Sequence, residues 1–218
     1  FTGLHASAAT VWSNPAGNGS GKSVSSNTWA VGDYYQFVFN TTCYSGISIT
    51  WDQTGSGTGP RDFKVQYSTN GTIFTDASGV NSTYALIVSN WSAGTPHSEH
   101  TRTLDLSGVT ALDNQPTVYI RLVDNSTTNI NGTAVATGGT DRVDNFIAKG
   151  TSMTPTCPAD FSVCSNAIPY TLGGATPGGG TYSGPDVSGG QLTSATPGPH
   201  VITYTTACGS CNFTVTVV

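Results

Sequence analysis

The segment His97-Ser98-Glu99-His100 is the one place in the sequence where two imidazoles and a carboxylate stand together. On a strand, His97 and Glu99 would share a face, an arrangement that a zinc site or an acid–base pair could use. No third metal ligand and no nucleophile stands in a motif that would complete either site. The G-x-S-x-G, H-E-x-x-H and phosphate-binding glycine motifs are also absent from the sequence. We therefore interpret the segment as a polar loop and predict that the protein is not an enzyme.

A second group of charges consists of Asp141, Arg142 and Asp144. One interpretation is a structural calcium ion held by Asp141 and Asp144 at a strand end, because calcium prefers carboxylate oxygens. The other is an ion pair in which Arg61 or Arg121 meets Asp144 across neighbouring strands. A buried carboxylate needs a partner in either case. We favour the ion pair and expect no cofactor.

Five aromatic residues could stack on sugar rings: Trp29, Tyr34, Tyr44, Trp51 and Trp91. In a β-sandwich, large aromatic side chains more often fill the core. The alternation of Ile47, Ile49 and Trp51 with polar residues supports a core position for Trp51. The sequence leaves the sugar-binding interpretation open for the others.

Acceptor triplets for N-glycosylation, Asn-x-Ser/Thr, are frequent. Eight of the asparagines begin such a triplet: Asn18, Asn40, Asn70, Asn81, Asn90, Asn125, Asn131 and Asn212. This exceeds what the Ser and Thr content alone predicts, although turn-rich β proteins collect these residue types for other reasons. A glycan-coated surface and a chance excess both remain open.

The composition indicates a secreted protein. Only 9% of the residues are charged, whereas a typical soluble domain is about a quarter charged, so hydroxyl and amide groups must keep the surface soluble. The net charge of -5 leaves no basic face for nucleic acid or for an anionic membrane. No apolar run approaches the ~18 residues of a membrane span. Because the chain begins at Phe1 without a charged and apolar leader, we expect a processed protein or an excised fragment.

Short antiparallel strands are the elements that must position these residues. From Asp62 to Ser68, large apolar residues alternate with polar ones, as in a half-buried strand. Asn70-Gly71 then suits a two-residue hairpin turn. Six further strands are predicted at 32–40, 46–52, 84–91, 97–107, 117–124 and 141–149, with one helical turn at 111–115. Together with the N-terminal stretch, this gives the eight or nine strands of a jelly-roll-like β-sandwich in residues 1–150.

The pattern changes at 150–156, where Pro155 interrupts a short polar stretch. We predict a linker at residues 151–156 and a second domain at residues 157–218, whose six or seven short strands suit a small immunoglobulin-like β-sandwich. Four of the five cysteines lie there: Cys157, Cys164, Cys208 and Cys211. This clustering indicates disulfide bonds in an oxidising compartment. A zinc site at the C-x-x-C of 208–211 is the alternative.

Residues 154–218 resemble the immunoglobulin-like and hyalin-repeat modules of secreted Bacteroidota proteins. The resemblance rests on Thr156-Cys157-Pro158-Ala159, on the segments 179–185 and 200–204, and on Cys211-Asn212-Phe213-Thr214-Val215. Residues 32–150 are similar to a jelly-roll module of the same bacteria through the segments 59–63, 66–68 and 142–145. The resemblance implies an extracellular adhesive or structural role, or a non-catalytic module beside an enzyme.

The same resemblance implies a disulfide pairing. A hyalin-like module joins the cysteine before its first strand to the cysteine that opens its last strand, here Cys157 and Cys211. Cys164 would then pair with Cys208. Cys43 would be left free or buried.

We therefore predict a non-enzymatic extracellular protein, either an adhesin module of the cell surface or the subunit of a fibre. A carbohydrate-binding accessory module of a secreted hydrolase, with a glycan as its ligand, is the alternative. We expect self-association head to tail through edge or terminal strands. Three lysines, Lys22, Lys64 and Lys149, are few to guard the strand edges, and the chain ends within the strand-like segment 211–218. The opposing interpretation is that both terminal strands pair within their own domains.

Overall fold

A computed structural model describes all 218 residues. The chain is all-β apart from three single turns of 3-10 helix at Ser98–His100, Thr110–Leu112 and Ser165–Ala167. It divides into two compact units, Phe1–Thr151 and Ser152–Val218. None of the helical turns has the length or the apolar character to cross a membrane.

The first unit contains eleven strands that follow the alternating segments of the sequence. They are β1 (Thr2–Leu4), β2 (Trp12–Ser13), β3 (Val24–Ser26), β4 (Tyr34–Phe39), β5 (Tyr44–Gly55), β6 (Asp62–Ser68), β7 (Thr75–Asp76), β8 (Thr83–Ala85), β9 (Thr101–Asp105), β10 (Val118–Asp124) and β11 (Asp141–Ser152).

Two sheets arise from these strands. Sheet A has the order β1-β4-β10-β6-β7, with β8 also paired to β6, and sheet B has the order β2-β3-β11-β5-β9. Without the short strands β1, β2 and β7, the remaining eight are distributed as in a jelly roll, with β4-β10-β6-β8 in one sheet and β3-β11-β5-β9 in the other. The predicted jelly-roll-like sandwich is confirmed.

Inward side chains of the two sheets form one core. Its fully buried members include Ile49 and Trp51 of β5, Phe63 and Val65 of β6, and every second residue of β10 from Val118 to Leu122. Each contributing strand presents every second residue, which is why strict alternation in the sequence located these strands. Trp51 is a core residue, as its alternation indicated.

Several strand predictions differ from the structure; residues 98–100 of the predicted strand 97–107, for example, form a helical turn before β9. The predicted strand 84–91 ends at Ala85, because the backbone then crosses from sheet A to sheet B. Leu86 N donates to Arg61 O at 2.7 Å, and Ser89 N donates to Gly55 O at 3.0 Å. The predicted strand 141–149 instead continues to Ser152, so residues 151 and 152 of the predicted linker are part of β11.

The second unit has seven short strands: β12 (Phe161–Val163), β13 (Tyr170–Thr171), β14 (Thr181–Ser183), β15 (Val187–Ser188), β16 (Gln191–Leu192), β17 (Gly198–Thr206) and β18 (Gly209–Val217). One sheet has the order β12-β18-β17-β14, in which β12 and β18 are parallel, and the other has the order β13-β16-β15. This is an immunoglobulin-like arrangement of two small sheets around a core that includes Leu192, Ile202 and Val215.

The cysteines of the second unit follow the predicted scheme only in part. A disulfide bond joins Cys157 to Cys211, with 5.7 Å between their Cα atoms. Because Cys211 is bonded in this way, the C-x-x-C of 208–211 cannot bind zinc through two thiolates. Cys164 is an exposed free thiol just after the short strand β12, so the expected Cys164–Cys208 bond is not formed. Neither Cys208 nor Cys43 is a free thiol, which corrects the expectation that Cys43 is left free.

Candidate functional site

His97 to His100 form a polar loop and one helical turn around the side chain of Asn90. The Asn90 amide nitrogen donates to Glu99 Oε1 at 2.8 Å, which lowers the pKa of that carboxyl, and His97 Nδ1 lies 3.3 Å from the same oxygen. His100 is fully buried, its Nε2 lies 2.6 Å from Asn90 Oδ1, and burial lowers the pKa of its imidazole. These groups order the loop. No three metal-ligating side chains come together in this segment or elsewhere in the chain.

A network of neutral donors holds Asp144 at the outer face of sheet B. Asp144 Oδ2 accepts the backbone N–H of Asn18 at 2.9 Å and the hydroxyl of Ser20 at 2.6 Å. The side-chain amide of Asn18 donates to Asp52 Oδ2 at 3.0 Å, and the amide of Asn145 donates to the same oxygen at 2.8 Å. This network ties the loop between β2 and β3 to the sheet.

The predicted ion pair between Asp144 and an arginine is therefore wrong. Arg61 instead forms two hydrogen bonds of 2.9 Å with the adjacent Asp62. Arg121 lies on the outer face of sheet A between two aromatic rings. Backbone and hydroxyl donors from a nearby loop satisfy Asp144 instead.

Asp141 and Asp144 do not share a site either. Asp141 is fully buried in the core, where its Oδ1 accepts from the Gln53 amide at 3.0 Å and its Oδ2 has no partner. Burial raises its pKa well above the usual range, which favours the neutral form of the carboxyl. Because the two side chains lie on opposite faces of β11, they cannot bind one calcium ion.

The aromatic residues considered for sugar binding are mostly in the core. Trp29, Trp51 and Trp91 are no more than 8% exposed. Tyr44 is 47% exposed at one end of the first sandwich. Tyr34 lies on the outer face of sheet A beneath the guanidinium of Arg121. No exposed planar row of aromatic rings therefore forms from these five residues.

The outer face of sheet A carries a cation between two rings. The guanidinium carbon of Arg121 lies 3.8 Å from the ring centroid of Tyr34 and 3.4 Å from that of Phe74, and its Nε donates to Gln36 Oε1 at 2.8 Å. No carboxylate pairs with it, and partial burial lowers its pKa. Phe74 also contacts the edge of Tyr119. The stack holds the loop between β6 and β7 against the sheet.

One side of the first sandwich has uncovered strand edges in both sheets. In sheet A, β1 pairs only with Tyr34–Gln36 of β4, so Val38 and Phe39 have no neighbouring strand on that side. In sheet B, β3 pairs only with residues 141–143 of β11, and the loop before β3 reaches no further than Asn145. Residues 146–152 of β11 are therefore uncovered along the same side. We call this region the open edge.

Aromatic rings fill the gap between the two sheets at the open edge. Phe37 of β4 and Phe146 of β11 stack with their centroids 3.8 Å apart and their planes 6° apart. Phe1 packs on Phe37 with centroids 5.2 Å apart, and Phe39 lies 6.1 Å from Phe146. Val38, next to these rings, is 43% exposed. The end of the core is thus accessible to solvent along this side.

Three cavities follow one another along the open edge. Their volumes are about 270, 320 and 400 Å³. The first two share Phe37 and Phe146, and the last two share Phe39 and Ala148. Shared walls make them a continuous groove between β4 and β11.

The backbone at Asn145 determines which side chains line this groove. Asn145 has a φ of 49°, in the left-handed region that asparagine tolerates better than most residues. Val143 and Phe146 both point into the sandwich although they are three residues apart, which requires one extra residue in the alternation, as in a β-bulge. Phe146 and Ala148 therefore point into the groove, Ile147 points outward, and Lys149 lies at the rim of the largest of the three cavities.

No protein-family model matches the chain. No curated protein sequence matches it. Among solved structures, it is similar to the K1 cleaved adhesin domain of Lys-gingipain from Porphyromonas gingivalis W83, at 14% identity over 69% of this chain and 90% of that one, with a TM-score of 0.44. It is also similar to the K2 cleaved adhesin domain of Lys-gingipain, at 15% identity over 66% of this chain and 86% of that one, with a TM-score of 0.33. Likenesses at this level carry no inference about ligand or activity.

The candidate glycosylation sites differ in accessibility. Asn18 is 3% exposed and its amide is bonded to Asp52 and to the backbone oxygen of His97, so it cannot accept a glycan in this fold. The amide of Asn90 is engaged by its histidine and glutamate neighbours. The other six acceptor asparagines are at least partly exposed, and their glycosylation stays a prediction.

Sequence reasoning missed the open edge. The sequence does carry a signal for it, a break in the period-two alternation. Val143 and Phe146 are apolar residues three positions apart, separated by Asp144 and Asn145. A strict period of two places Asn145 and Ile147 with Val143 on the inward face. The positive φ of Asn145 changes the face of the residues after it, so that Phe146 points inward in place of Ile147.

Proposed function

We propose that this chain is a non-enzymatic extracellular module with a structural or adhesive role, and that its copies associate through sheet edges. The observation that carries the proposal is the open edge, where both sheets leave backbone groups unpaired beside an apolar groove. Soluble proteins normally cover or charge such edges, because an uncovered edge is a template for pairing with another strand. The disulfide bond Cys157–Cys211 supports an oxidising, extracellular location.

Terminal strands are a poor source of a head-to-tail contact. The last strand, β18, lies between β12 and β17 and pairs with both. It also contributes Phe213, Val215 and Val217 to the core of the second unit. Donating it to another copy would open that core, so we place self-association at the open edge of the first unit. In a fibre or at a cell surface, this contact would link neighbouring modules.

Light scattering and electron microscopy of the purified chain test this proposal. We expect the mean mass to increase with protein concentration. Since the contact is apolar and backbone-mediated, moderate salt should not dissolve it. A chain that stays monomeric up to the highest soluble concentration would contradict self-association.

A glycan-binding module is the second candidate, and the Arg121 stack favours it. Aromatic rings beside an unpaired cation and the amide of Gln36 offer apolar and polar contacts of the kind that a sugar with a carboxylate could use. A panel of acidic polysaccharides in affinity electrophoresis tests it, with Arg121→Met as the matched variant. Retardation of the wild type alone would favour this function. No retardation of either protein would exclude it for the panel.

A further inference from the structure

The open edge has two stacked strand edges, so a partner that covers it fully must also present two stacked strand edges. Two parallel rows of unpaired backbone groups, one on β4 and one on β11, face the same side of the sandwich. An extended peptide could pair with only one row, because stacked sheets lie ~10 Å apart. A second copy of this chain presents both rows at the same spacing. It can therefore pair with both.

We propose that the first unit forms a two-fold dimer in which the uncovered part of β11 pairs antiparallel with the same residues of a second copy. This inference rests on the proposed self-association and names its surface, its partner and its register. The uncovered part of β4 lies beside the same part of β4 in the second copy, related by the same two-fold axis. The two sandwiches thereby become one continuous pair of sheets.

The uncovered residues restrict the register. The side chains of Asp144 and Asn145 bind the loop before β3, which lies against this part of β11, so we place the start of pairing at Phe146. Antiparallel partners must point to the same face, which requires an alignment about a single residue. An axis at Ala148 pairs Phe146 with Gly150 of the other copy and uses only 146–150. An axis at Ile147 would draw in the covered Asp144, and an axis at Lys149 would place two ammonium groups opposite each other.

Side-chain sizes and charges suit the register centred on Ala148. Two small alanine side chains meet on the axis, and each Phe146 lies opposite a glycine. On the outer face, the 47% exposed Ile147 lies opposite the Lys149 stem of the other copy, which covers apolar surface while the ammonium group stays in water. Neither like charges nor two bulky groups stand directly opposite one another.

The extent of the groove fits a dimer contact. About twenty residues line the three cavities, close to the number that each partner contributes to an interface of ~800 Å² per side. Phe39 lies in the same cavities as Ala148 and would approach its own counterpart near the axis. Exposed apolar surface of Phe37, Phe39 and Phe146 would then be buried from both copies.

Cysteine crosslinking tests the register in the full chain. The background variant Cys164→Ser removes the only free thiol, and Ala148→Cys places one new thiol on the axis. Directly opposite residues in an antiparallel pair have Cα atoms ~4.5–5.5 Å apart, within the ~4.4–6.8 Å that a disulfide bond spans. We expect mild oxidation to convert most of this variant to a covalent dimer. Ile73→Cys, a 72% exposed control in the loop between β6 and β7, should stay largely monomeric.

The matched variant is Ile147→Cys. In the proposed register its two copies are offset by two residues along the strands, about 8 Å apart, so they should not crosslink. Crosslinking of Ile147→Cys in place of Ala148→Cys would overturn the register. Ala148→Lys should abolish the dimer in light scattering while the circular dichroism spectrum stays that of the wild type, because Ala148 is exposed in a single copy.

The failures of the two proposals are distinguishable. Self-association that persists without an Ala148→Cys crosslink, or that survives Ala148→Lys, overturns this inference and leaves the proposed function standing. A strictly monomeric wild type overturns both. If Ala148→Cys fails to fold, the response to Ala148→Lys decides the question by itself.

Discussion

Asp124 should make the first sandwich less stable as the pH rises through neutrality. Its side chain is 1% exposed at the end of β10, and its Oδ2 has no hydrogen-bond partner. Burial raises the pKa of this carboxyl to about 7. The charges of Asp33 and Asp62 add to the shift, and backbone N–H groups at Ser126 and its neighbour oppose it. The folded chain therefore keeps a proton that an exposed aspartate would release.

Linkage gives the sign and the size of the effect. An aspartate in the unfolded chain has a pKa of ~3.9. Between about pH 4 and pH 7 the folded state binds one more proton than the unfolded state, so the free energy of unfolding falls as the pH rises. The stabilisation is fully present below about pH 4 and is lost by about pH 7. A difference of ~3 pK units corresponds to about 4 kcal/mol.

Asp124→Asn removes this ionisation at nearly constant volume. Urea unfolding followed by tryptophan fluorescence reports the first unit, because all four tryptophans lie within Phe1–Thr151. From about pH 4.5 to about pH 8, the stability of the variant relative to the wild type should increase by about 3 kcal/mol. Asp141 is also buried with a raised pKa, and because the charge of Asp124 contributes to that shift, the difference between the two proteins includes this coupling.

Asp76→Asn is the matched control with the opposite sign. Asp76 is exposed, and hydrogen bonds from Gln66 and Lys64 lower its pKa. Its contribution is present above the unfolded pKa and is lost as the pH falls through the folded one, so its removal should change only the acid end of the curve. Wild-type and Asp124→Asn stabilities that run parallel across the whole range would refute the reasoning for Asp124.

Three further predictions follow from the contacts. Replacing Cys157 and Cys211 together by serine opens a loop of sequence separation 54 and should cost the second unit about 4 kcal/mol of unfolding free energy in chemical denaturation; an unchanged midpoint would contradict this. Arg121→Met keeps the apolar stem but loses both ring contacts of the cation, and should cost about 1–2 kcal/mol by the same assay; equal stability would show that the stack contributes only packing. Limited proteolysis should cut first within residues 150–156 and leave both units folded; a first cut elsewhere, or a single joint melting transition of both units, would argue against this boundary.

The strands that were predicted from the sequence are those with one apolar face. Ile47, Ile49 and Trp51 alternate without interruption because β5 has one face in the core and the other toward polar loops. Ile87 and Val88 are equally apolar, yet they lie where the backbone crosses between sheets, 44% and 52% exposed. Local hydrophobicity cannot distinguish these cases. Whether an apolar segment continues as a strand or crosses to the other sheet depends on which strand its backbone groups pair with next.

The sequence predicts a turn at Asn70-Gly71, but the loop around it is longer than predicted. Asn70-Gly71 does form a turn, and Gly71 has the positive φ of 72°. The paired residues that flank it are Tyr67 and Thr75, so the loop is much longer than two residues. Asn70 Oδ1 accepts the backbone N–H groups of Thr72 and Ile73 at 3.0 and 2.9 Å. Its side chain thus stabilises a wide loop in place of a tight hairpin.

The predicted ion pair of Asp144 and the predicted calcium site of Asp141 and Asp144 were wrong for the same physical reason. With few charged residues, the chain satisfies several of its carboxylates with amides, hydroxyls and backbone N–H groups, as Asn18 and Ser20 do for Asp144. Pairing rules based on opposite charges therefore name the wrong partners. Burial raises the pKa of a lone buried acid such as Asp141, which favours its neutral form without a cation. Spacing in the sequence shows none of this, because the donors to Asp144 come from a loop more than a hundred residues away and the donor to Asp141 comes from β5.

The open edge links one backbone angle to the proposed assembly. If Asn145 had an extended backbone, Ile147 and Lys149 would face the sandwich, and the lysine would guard the edge as charged residues usually do. The left-handed turn at Asn145 instead points Phe146 and Ala148 into the groove and leaves Lys149 at its rim. The inward side of the gap then carries aromatic rings. Removing these rings from water favours association with a second copy. A single bulge in β11 thus converts a protected edge into a contact surface.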